Sequence, residues 1–308
     1  MHAVSDARPS RSQAWWQAVR PKTLGLALAP VVVGSAWAFA MAGMFRLEVA
    51  LLAALAAVAI QVGTNLWNDA LDAELGVDGD VRLGPRRATA AGWLAAASVR
   101  AASLAAFALA GACGAVLIAI GGWPILFIGV VAIALGLLYS AGPRPISATP
   151  LGEVVVLATF GVAGVAGTVL LHGAAVTPAV ALLGACSGLP AAAVLLVNNH
   201  RDRGSDRIAG RRTLAILLGP EATRRLYAGL VLASALGPVV VAAGCAVAWL
   251  AAALLLVPAF GLARGFAVAP VDAGLNRYLV RTARFQLLQV LALAAALLAC
   301  GPAASVVP

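Results

Sequence analysis

Residues 47–72 read LEVALLAALAAVAIQVGTNLWNDALD, an apolar run of membrane length that ends in Asn65, Asn68, Asp69 and Asp72. Residues 190–206, PAAAVLLVNNHRDRGSD, repeat the design: an apolar run that ends in Asn198, Asn199, Arg201, Asp202 and Asp206. In both, an Asn precedes an Asp by four residues and a second Asp follows one helical turn later. Spacings of three and four place side chains on one face of a helix. Two such carboxylate pairs, with arginine around them, are suited to a divalent cation and a diphosphate. The constant offset between Asn65/Asp69 and Asn198/Asp202 also suggests an internal duplication.

The rest of the chain agrees with a membrane-embedded setting. Its 308 residues are 62% hydrophobic and 11% charged, and its mean hydropathy is +0.97. Apolar runs recur at the roughly 20-residue length that crosses a bilayer as a helix. The pattern predicts an all-α, polytopic membrane protein of nine transmembrane helices around a central cavity. The spans are placed near 23–43, 47–67, 98–119, 122–140, 152–172, 177–197, 226–245, 247–265 and 284–301. Gly244 supplies the break in the unbroken stretch 226–265, and Gly121-Gly122-Trp123-Pro124 and His172-Gly173 to Pro178 mark other turns. Residues 1–22 read as a polar N-terminal segment whose first ~14 residues are expected to be loosely ordered. Residues 23–308 read as one integral-membrane domain. Span one is too long, and lacks the small-residue cleavage site, for a removable signal peptide.

Charge placement tests this topology independently of hydropathy. Of 21 Lys and Arg residues, all but Arg46 fall before span one or around the loops after spans two, four, six and eight. The positive-inside rule then places the N-terminus and these loops in the cytoplasm. The formal charge of +9 is accounted for by orientation and anionic ligands, so no nucleic-acid partner is expected. Cys113, Cys186, Cys245 and Cys300 lie singly within apolar spans, with no CxxC or Cys/His cluster. Four buried small side chains are expected, without disulfide, zinc or thiol chemistry.

Of twelve acids, five crowd into Asp69 to Asp80 and three into Asp202 to Glu221. Ionised groups are costly at the bilayer centre, so acids at span ends point to a polar cavity open at one face. Mg²⁺ takes hard oxygen ligands, commonly a few carboxylates completed by water and substrate phosphate. Arg201, Arg203, Arg207, Arg211 and Arg212 fall within twelve residues, and guanidinium bonds phosphate oxygens bidentately. Arg201, Arg211 and Arg212 are the phosphate candidates in this string, joined by Arg82, Arg86 and Arg87 of the first loop. Arg203, Arg224 and Arg225 are assigned to membrane orientation alone.

At these residues the chain resembles the UbiA superfamily of intramembrane prenyltransferases, and within it the branch that prenylates 1,4-dihydroxy-2-naphthoate for menaquinone biosynthesis. The resemblance runs in order through Arg20-Pro21-Lys22-Thr23-Leu24, NDALDAELGVD (68–78), RLGPRRATAAGWL (82–94), YSAGPRPISATPLGE (139–153) and VNNHRDRGSDRIAGRRTLAILLG (197–219). It implies a multi-pass enzyme of the bacterial cytoplasmic membrane whose two Asp motifs face each other. It implies a Mg²⁺ cofactor, a polyprenyl diphosphate donor, 1,4-dihydroxy-2-naphthoate as acceptor, and a lateral opening to membrane lipid for the prenyl tail. Asn68, Asp69 and Asp72 match the first metal–diphosphate motif, and Asp202 and Asp206 the second. Asn65, Asp78, Asn198, Asn199 and Arg201 match polar positions around them, and Lys22 the basic residue near the diphosphate. Ala148 stands where the family usually has an aromatic residue, and Arg144 where it often has Tyr.

The resemblance implies ionisation of the diphosphate and attack by the naphthalenediol at the carbon bearing its carboxylate, with loss of CO₂. Such an acceptor is already nucleophilic, which accords with three histidines in the chain. Of these only His200 lies near the acids; it reads foremost as a polar neighbour of the site, although an imidazole there could titrate usefully. A related enzyme with another aromatic or lipid acceptor is the alternative. An ion-coupled transporter is a distant one, because coupling-ion sites lie near the bilayer midplane on interrupted helices.

Overall fold

A computed structural model describes residues 8–74 and 83–301, and every regular element among them is helical. The first, α1 (Arg11–Val19), is shorter than a span. Ser10 caps it, accepting from the Gln13 N–H while the Gln13 side chain accepts from the Ser10 N–H. This is a capping box. A capped helix therefore starts at Arg11, within the stretch that composition marked as loosely ordered. Buried Ala14 and Ala18 pack α1 against Leu66, Ala70, Ala88, Leu94 and Val99. The chain then turns at Arg20, which takes a left-handed φ of 55°.

The spans follow as α2 (Leu24–Ala42), α3 (Leu47–Glu74), α4 (Ala96–Gly121), α5 (Trp123–Leu138), α6 (Gly152–Leu171) and α7 (Pro178–Arg201). A short α8 (Arg203–Ile208) precedes α9 (Leu214–Ala235), α10 (Gly237–Ala242), α11 (Ala246–Val268) and α12 (Asn276–Cys300). Eight helical stretches among the described residues are long and apolar enough to cross a membrane. The ninth expected span is α5, 16 residues long and so about 24 Å at 1.5 Å per residue. Successive spans touch from α3 round to α12, and α2 closes the ring against both α12 and α3.

Small residues let these backbones approach, as they do where lipid leaves no hydrophobic drive between helices. A Cβ on Gly161 would lie 2.6 Å from the Gly184 carbonyl oxygen, and one on Gly34 2.7 Å from the Thr168 Cβ. Gly161 lies in a π-helical turn, Ala158–Ala163, that widens α6 where it crosses α7. Polar side chains inside the bundle find carbonyl partners. Gln289 Nε2 of α12 donates to the Cys186 oxygen at 2.7 Å and the Ser234 oxygen at 3.2 Å, joining three helices.

Two departures from expectation lie in the stretch after Thr213. Leu214 to Leu218 are already helical, and the kink comes at Gly219 (φ 73°) before Pro220. At the other end α10 stops at Ala242, before Gly244. Cys245 therefore caps α11 instead of lying within a span, and it forms a disulfide with Cys300 at the end of α12. The expectation of four unpaired cysteines fails for this pair and holds for buried Cys113 and Cys186. The disulfide ties α11 to α12 at the end opposite the acidic motifs. His172 is also at that end, between the Ser35 hydroxyl and the Arg46 N–H.

The topology makes one expected outcome direct. Single cysteines at exposed Ser98 and Thr177 should be modified by an impermeant maleimide from opposite sides of the membrane, position 98 from the cytoplasmic side. Labelling of both from one side would refute the arrangement.

Candidate active site

Both acidic motifs lie at the same end of the bundle, at the C-terminal ends of α3 and α7, because four spans separate them. Between them opens a cavity of about 1370 Å³. Asn65, Asn68, Asp69, Asp72, Asn198, Asn199, Arg201 and Arg211 line it, with Arg20, Lys22 and Arg87. Asp202 and Asp206 are not among the lining residues; Arg201 and Arg211 stand in front of them. Arg212 is exposed, and its N–H donates to the Ala148 carbonyl at 2.8 Å. Asp78 and Arg82 lie outside the described residues.

The first motif is held from several directions. Asp69 is buried and accepts from the Thr89 N–H at 2.9 Å. Asp72, also buried, pairs with Arg87 at 2.5 Å and lies 3.6 Å from Arg211. Asn68 donates to the Ser140 hydroxyl and accepts from Arg87 and from Arg20, the latter at 3.2 Å. Asn65 ties α3 to the turn between α1 and α2, donating to the Val19 oxygen at 2.9 Å and Thr23 Oγ1 at 3.1 Å. That turn carries Lys22 to the cavity rim, exposed and without a partner among the described residues.

The second motif is organised by arginine. The Arg201 side chain, 2% exposed, donates to both Asp202 oxygens at 2.8 and 2.5 Å, to Asn198 Oδ1 at 2.6 Å and to Asn276 Oδ1 at 2.5 Å. The sequence reading placed this guanidinium fork on a ligand phosphate; in the structure Asp202 and the two asparagines occupy it. Arg211 spans the motifs, 3.4 Å from Asp206 and 3.6 Å from Asp72. Burial lowers the Arg87 pKa, and Asp72 and Asp69 oppose that effect by holding the charge in place.

Arg20, Ser140, Glu153 and Asn276 were not singled out from sequence. Arg20 opens the Arg20–Leu24 motif but was given no role there, and it arrives through its left-handed backbone; Asn276 comes from a helix 75 residues beyond Arg201 and had no local signal. Glu153 sits buried behind the cavity, where Oε1 accepts from Asn199 Nδ2 at 2.9 Å. An acid at the start of an apolar span was the clue. Arg224, assigned to orientation alone, donates to the Ala267 carbonyl and to the Ala269 carbonyl at 2.6 Å. It closes the end of α11. Arg225 pairs with Glu221 at the surface, both largely exposed. His200 points away from the cavity, its ring edge-on to Phe266 with centroids 5.3 Å apart.

Among the described residues no three His, Cys, Asp or Glu side chains converge on one point. The donors present still suit a hard cation: carboxylate oxygens of Asp69 and Asp72 and the amide oxygen of Asn68 on α3, with Asp206 of α8 across the Arg211 bridge. Such a set leaves positions for water and phosphate oxygens, which Mg²⁺ commonly retains.

Above this polar floor the cavity is apolar. Gly111 and Gly114 of α4 and Gly129 of α5 line it, and a Cβ at any of them would meet nothing within 4 Å. Leu126, Phe127 and Val130 of α5 line the cavity and are 46%, 63% and 58% exposed.

Comparison with known proteins converges on one group. The sequence model described as the UbiA prenyltransferase family matches residues 27–274. The 1,4-dihydroxy-2-naphthoate octaprenyltransferase of Escherichia coli strain K12 is 36% identical over 237 residues, covering 75% of this chain and 77% of the relative. Its namesake from Mycobacterium tuberculosis is 36% identical over 219 residues, covering 70% and 73%. A solved UbiA homologue from Archaeoglobus fulgidus, bound to GPP and Mg²⁺, superposes with TM-score 0.65 at 19% identity, covering 92% of this chain and 99% of that one.

The Arg201 network has a measurable consequence. Arg201→Lys keeps the charge but cannot reach Asp202 through two bonds while serving Asn198 and Asn276. Losing one charge-assisted hydrogen bond costs about 1.5–3 kcal/mol, so the thermal midpoint should fall and activity should drop at least ~10-fold. Arg225→Lys should match the parent in both assays. Equal behaviour of the two variants would overturn the positioning role of Arg201.

Proposed function

We propose, from the premise that this chain belongs to the UbiA prenyltransferase family, that it moves a polyprenyl chain from an allylic diphosphate onto 1,4-dihydroxy-2-naphthoate, giving a demethylmenaquinol (the reduced form of a demethylmenaquinone), CO₂ and diphosphate. The observation that carries this reading is the cavity itself: Asp69, Asp72 and six lining cations at its floor, the second acidic motif held behind Arg201 and Arg211, and an apolar channel above. The naphthoate relatives supply the acceptor.

The diphosphate lies on the polar floor. Lys22, Arg20, Arg87 and Arg211 approach it from three chain segments and neutralise the charge that grows as the carbon–oxygen bond breaks, which is where electrostatic catalysis acts. Asp69, Asp72 and Asp206, with Asn68, would hold Mg²⁺, and Asp202 is kept in register beside them by Arg201. When bound, Mg²⁺ supplies Lewis-acid stabilisation of the departing diphosphate. The apolar walls exclude water from the allylic cation, which would otherwise be hydrolysed. The ring carbon bearing the carboxylate attacks that cation. Its bond to the carboxylate then breaks, CO₂ leaves, and the electron pair restores the aromatic ring. Asn199, turned by Glu153 so that its Nδ2 is engaged, offers its Oδ1 to an acceptor hydroxyl. The chain itself resides in the bacterial cytoplasmic membrane with the floor of the cavity facing the cytoplasm.

Labelled polyprenyl diphosphate and 1,4-dihydroxy-2-naphthoate, given to the purified protein with Mg²⁺, should yield the prenylated 1,4-naphthalenediol, recovered as its quinone after air oxidation, and ¹⁴CO₂ from carboxyl-labelled acceptor. Turnover of another aromatic acceptor, with none of this one, would sink the assignment. Asp72→Asn should cut turnover at least ~100-fold, since one carboxylate serves both a cation and two arginines, and EDTA should abolish it until Mg²⁺ is restored. The glycine-lined channel sets a second test. A Cβ at Gly114 meets nothing within 4 Å, so Gly114→Phe should put its ring into the channel: short prenyl diphosphates should keep near-parent turnover while long ones lose ~10-fold or more. An unchanged chain-length profile would show that the tail does not pass Gly114.

A further inference from the structure

Two neighbouring asparagines on the cavity wall are turned in opposite senses by groups of opposite charge. Asn198 and Asn199, in the last turn of α7, both line the cavity. Asn198 Oδ1 accepts from Arg201 Nη2 at 2.6 Å, and Asn199 Nδ2 donates to Glu153 Oε1 at 2.9 Å. A guanidinium only donates and a carboxylate only accepts, so each partner leaves its asparagine one orientation. Asn198 must present Nδ2, and Asn199 must present Oδ1. Among the described residues neither of these two atoms has a hydrogen-bond partner, and neither is sealed from a water-sized group.

Both partners are themselves fixed. Arg201 is held by Asp202 and Asn276. Glu153 is buried at the start of α6, and its second oxygen, Oε2, has no partner among the described residues. A buried carboxylate with one oxygen unmatched is a costly way to join two helices; what it secures here is the direction of one amide. Val155, Val156 and Phe160 of α6 and Val194 and Leu195 of α7 line the same cavity, so the polar pair is set beside an apolar surface.

A donor and an acceptor on adjacent residues match a ligand that carries an anionic oxygen next to a hydroxyl. In an aromatic ortho-hydroxycarboxylate the hydroxyl otherwise bonds its own carboxylate and holds it in the ring plane. Asn199 Oδ1 would accept that hydroxyl proton and Asn198 Nδ2 would donate to the carboxylate, freeing it to turn out of the plane. A neutral amide also anchors the carboxylate less firmly than a guanidinium would, which suits a group that departs as CO₂.

We propose that Asn198 and Asn199, set by Arg201 and Glu153, form a donor–acceptor pair that recognises the ortho-hydroxycarboxylate edge of the acceptor, an assignment that rests on the prenyl-transfer reading of this cavity. Glu153 is then a positioning residue that acts through Asn199.

Calorimetric binding of 1-hydroxy-2-naphthoate, 1-methoxy-2-naphthoate and 1-naphthol to the purified full chain tests the pair without turnover. Absence of prenyl transfer would sink the functional reading and leave the binding result standing. The parent should bind the hydroxy acid at least ~10-fold more tightly than the methoxy acid, the scale of one hydrogen bond left unmade. Glu153→Leu should bring the two acids within ~2-fold of each other, while geranyl diphosphate with Mg²⁺ binds as in the parent. Should Glu153→Leu fail to fold, Glu153→Leu combined with Asn199→Leu removes both polar partners and carries the same expectation. Asn198→Asp keeps the oxygen that Arg201 bonds and loses the donor, so it should weaken the hydroxy acid at least ~10-fold and leave 1-naphthol unchanged. A preference for the hydroxy acid that survives loss of Glu153, or an Asn198→Asp that weakens geranyl diphosphate and not the hydroxy acid, would overturn the pair.

Discussion

A carboxylate within an apolar bundle must be matched by a cation, and Asp72 is where this chain meets that requirement. It is buried between Arg87, at 2.5 Å, and Arg211, at 3.6 Å. Removing one partner of a buried pair costs about 3–5 kcal/mol, because the other charge is left uncompensated. Neither arginine is on the helix that carries Asp72. One comes from the loop after α3 and the other from the loop after α8, so the ion pairs draw the loops over the floor of the cavity. The loops that carry the phosphate candidates are thus placed by the same acids that a metal-bound diphosphate would use.

That arrangement explains why the helices can be so plain. Interiors of α2, α6 and α7 are built from Gly, Ala, Val and Leu, and their contacts depend on close backbone approach at Gly34, Gly161 and Gly184. Close approach on one side of the bundle leaves room on the other. Along α4 and α5, Gly111, Gly114 and Gly129 face open space rather than a neighbouring helix. The same residue therefore serves two purposes: it tightens the contacts of α6 with α2 and α7, and it hollows the channel beside α4 and α5.

Much of this was legible before any coordinates. Span order, the shared end of the two acidic motifs and the residues of the cavity floor follow from apolar run length, basic-residue placement and helical spacing. What escaped was long-range or conformational. Nothing near Arg201 announces Asn276, and only the fold reveals that the Arg201 fork closes on Asp202. Arg20 reaches Asn68 because of a left-handed turn that its residue type does not favour. The break at Gly244 was legible, but Cys245 beside it read as one more small residue of an apolar run, and only the fold makes it a helix cap bonded to Cys300. Arg224 was indistinguishable by position from Arg225, yet one closes a helix end and the other faces solvent.

Arg211 shows how the floor can be stable with and without substrate. Its two terminal nitrogens span Asp72 and Asp206 at 3.6 and 3.4 Å, distances at the long end for an ion pair. A cation at either carboxylate would weaken that attachment, freeing guanidinium donors at the moment a diphosphate arrives to accept them. Arg87 is held more tightly, by Asp72 and Asn68 together, and would remain as fixed scaffolding. The site therefore divides its cations by role. Those bonded closely to the motifs define their shape; those bonded loosely, with Lys22 at the rim, are the ones that the proposed reaction would leave to follow the charge of the leaving group.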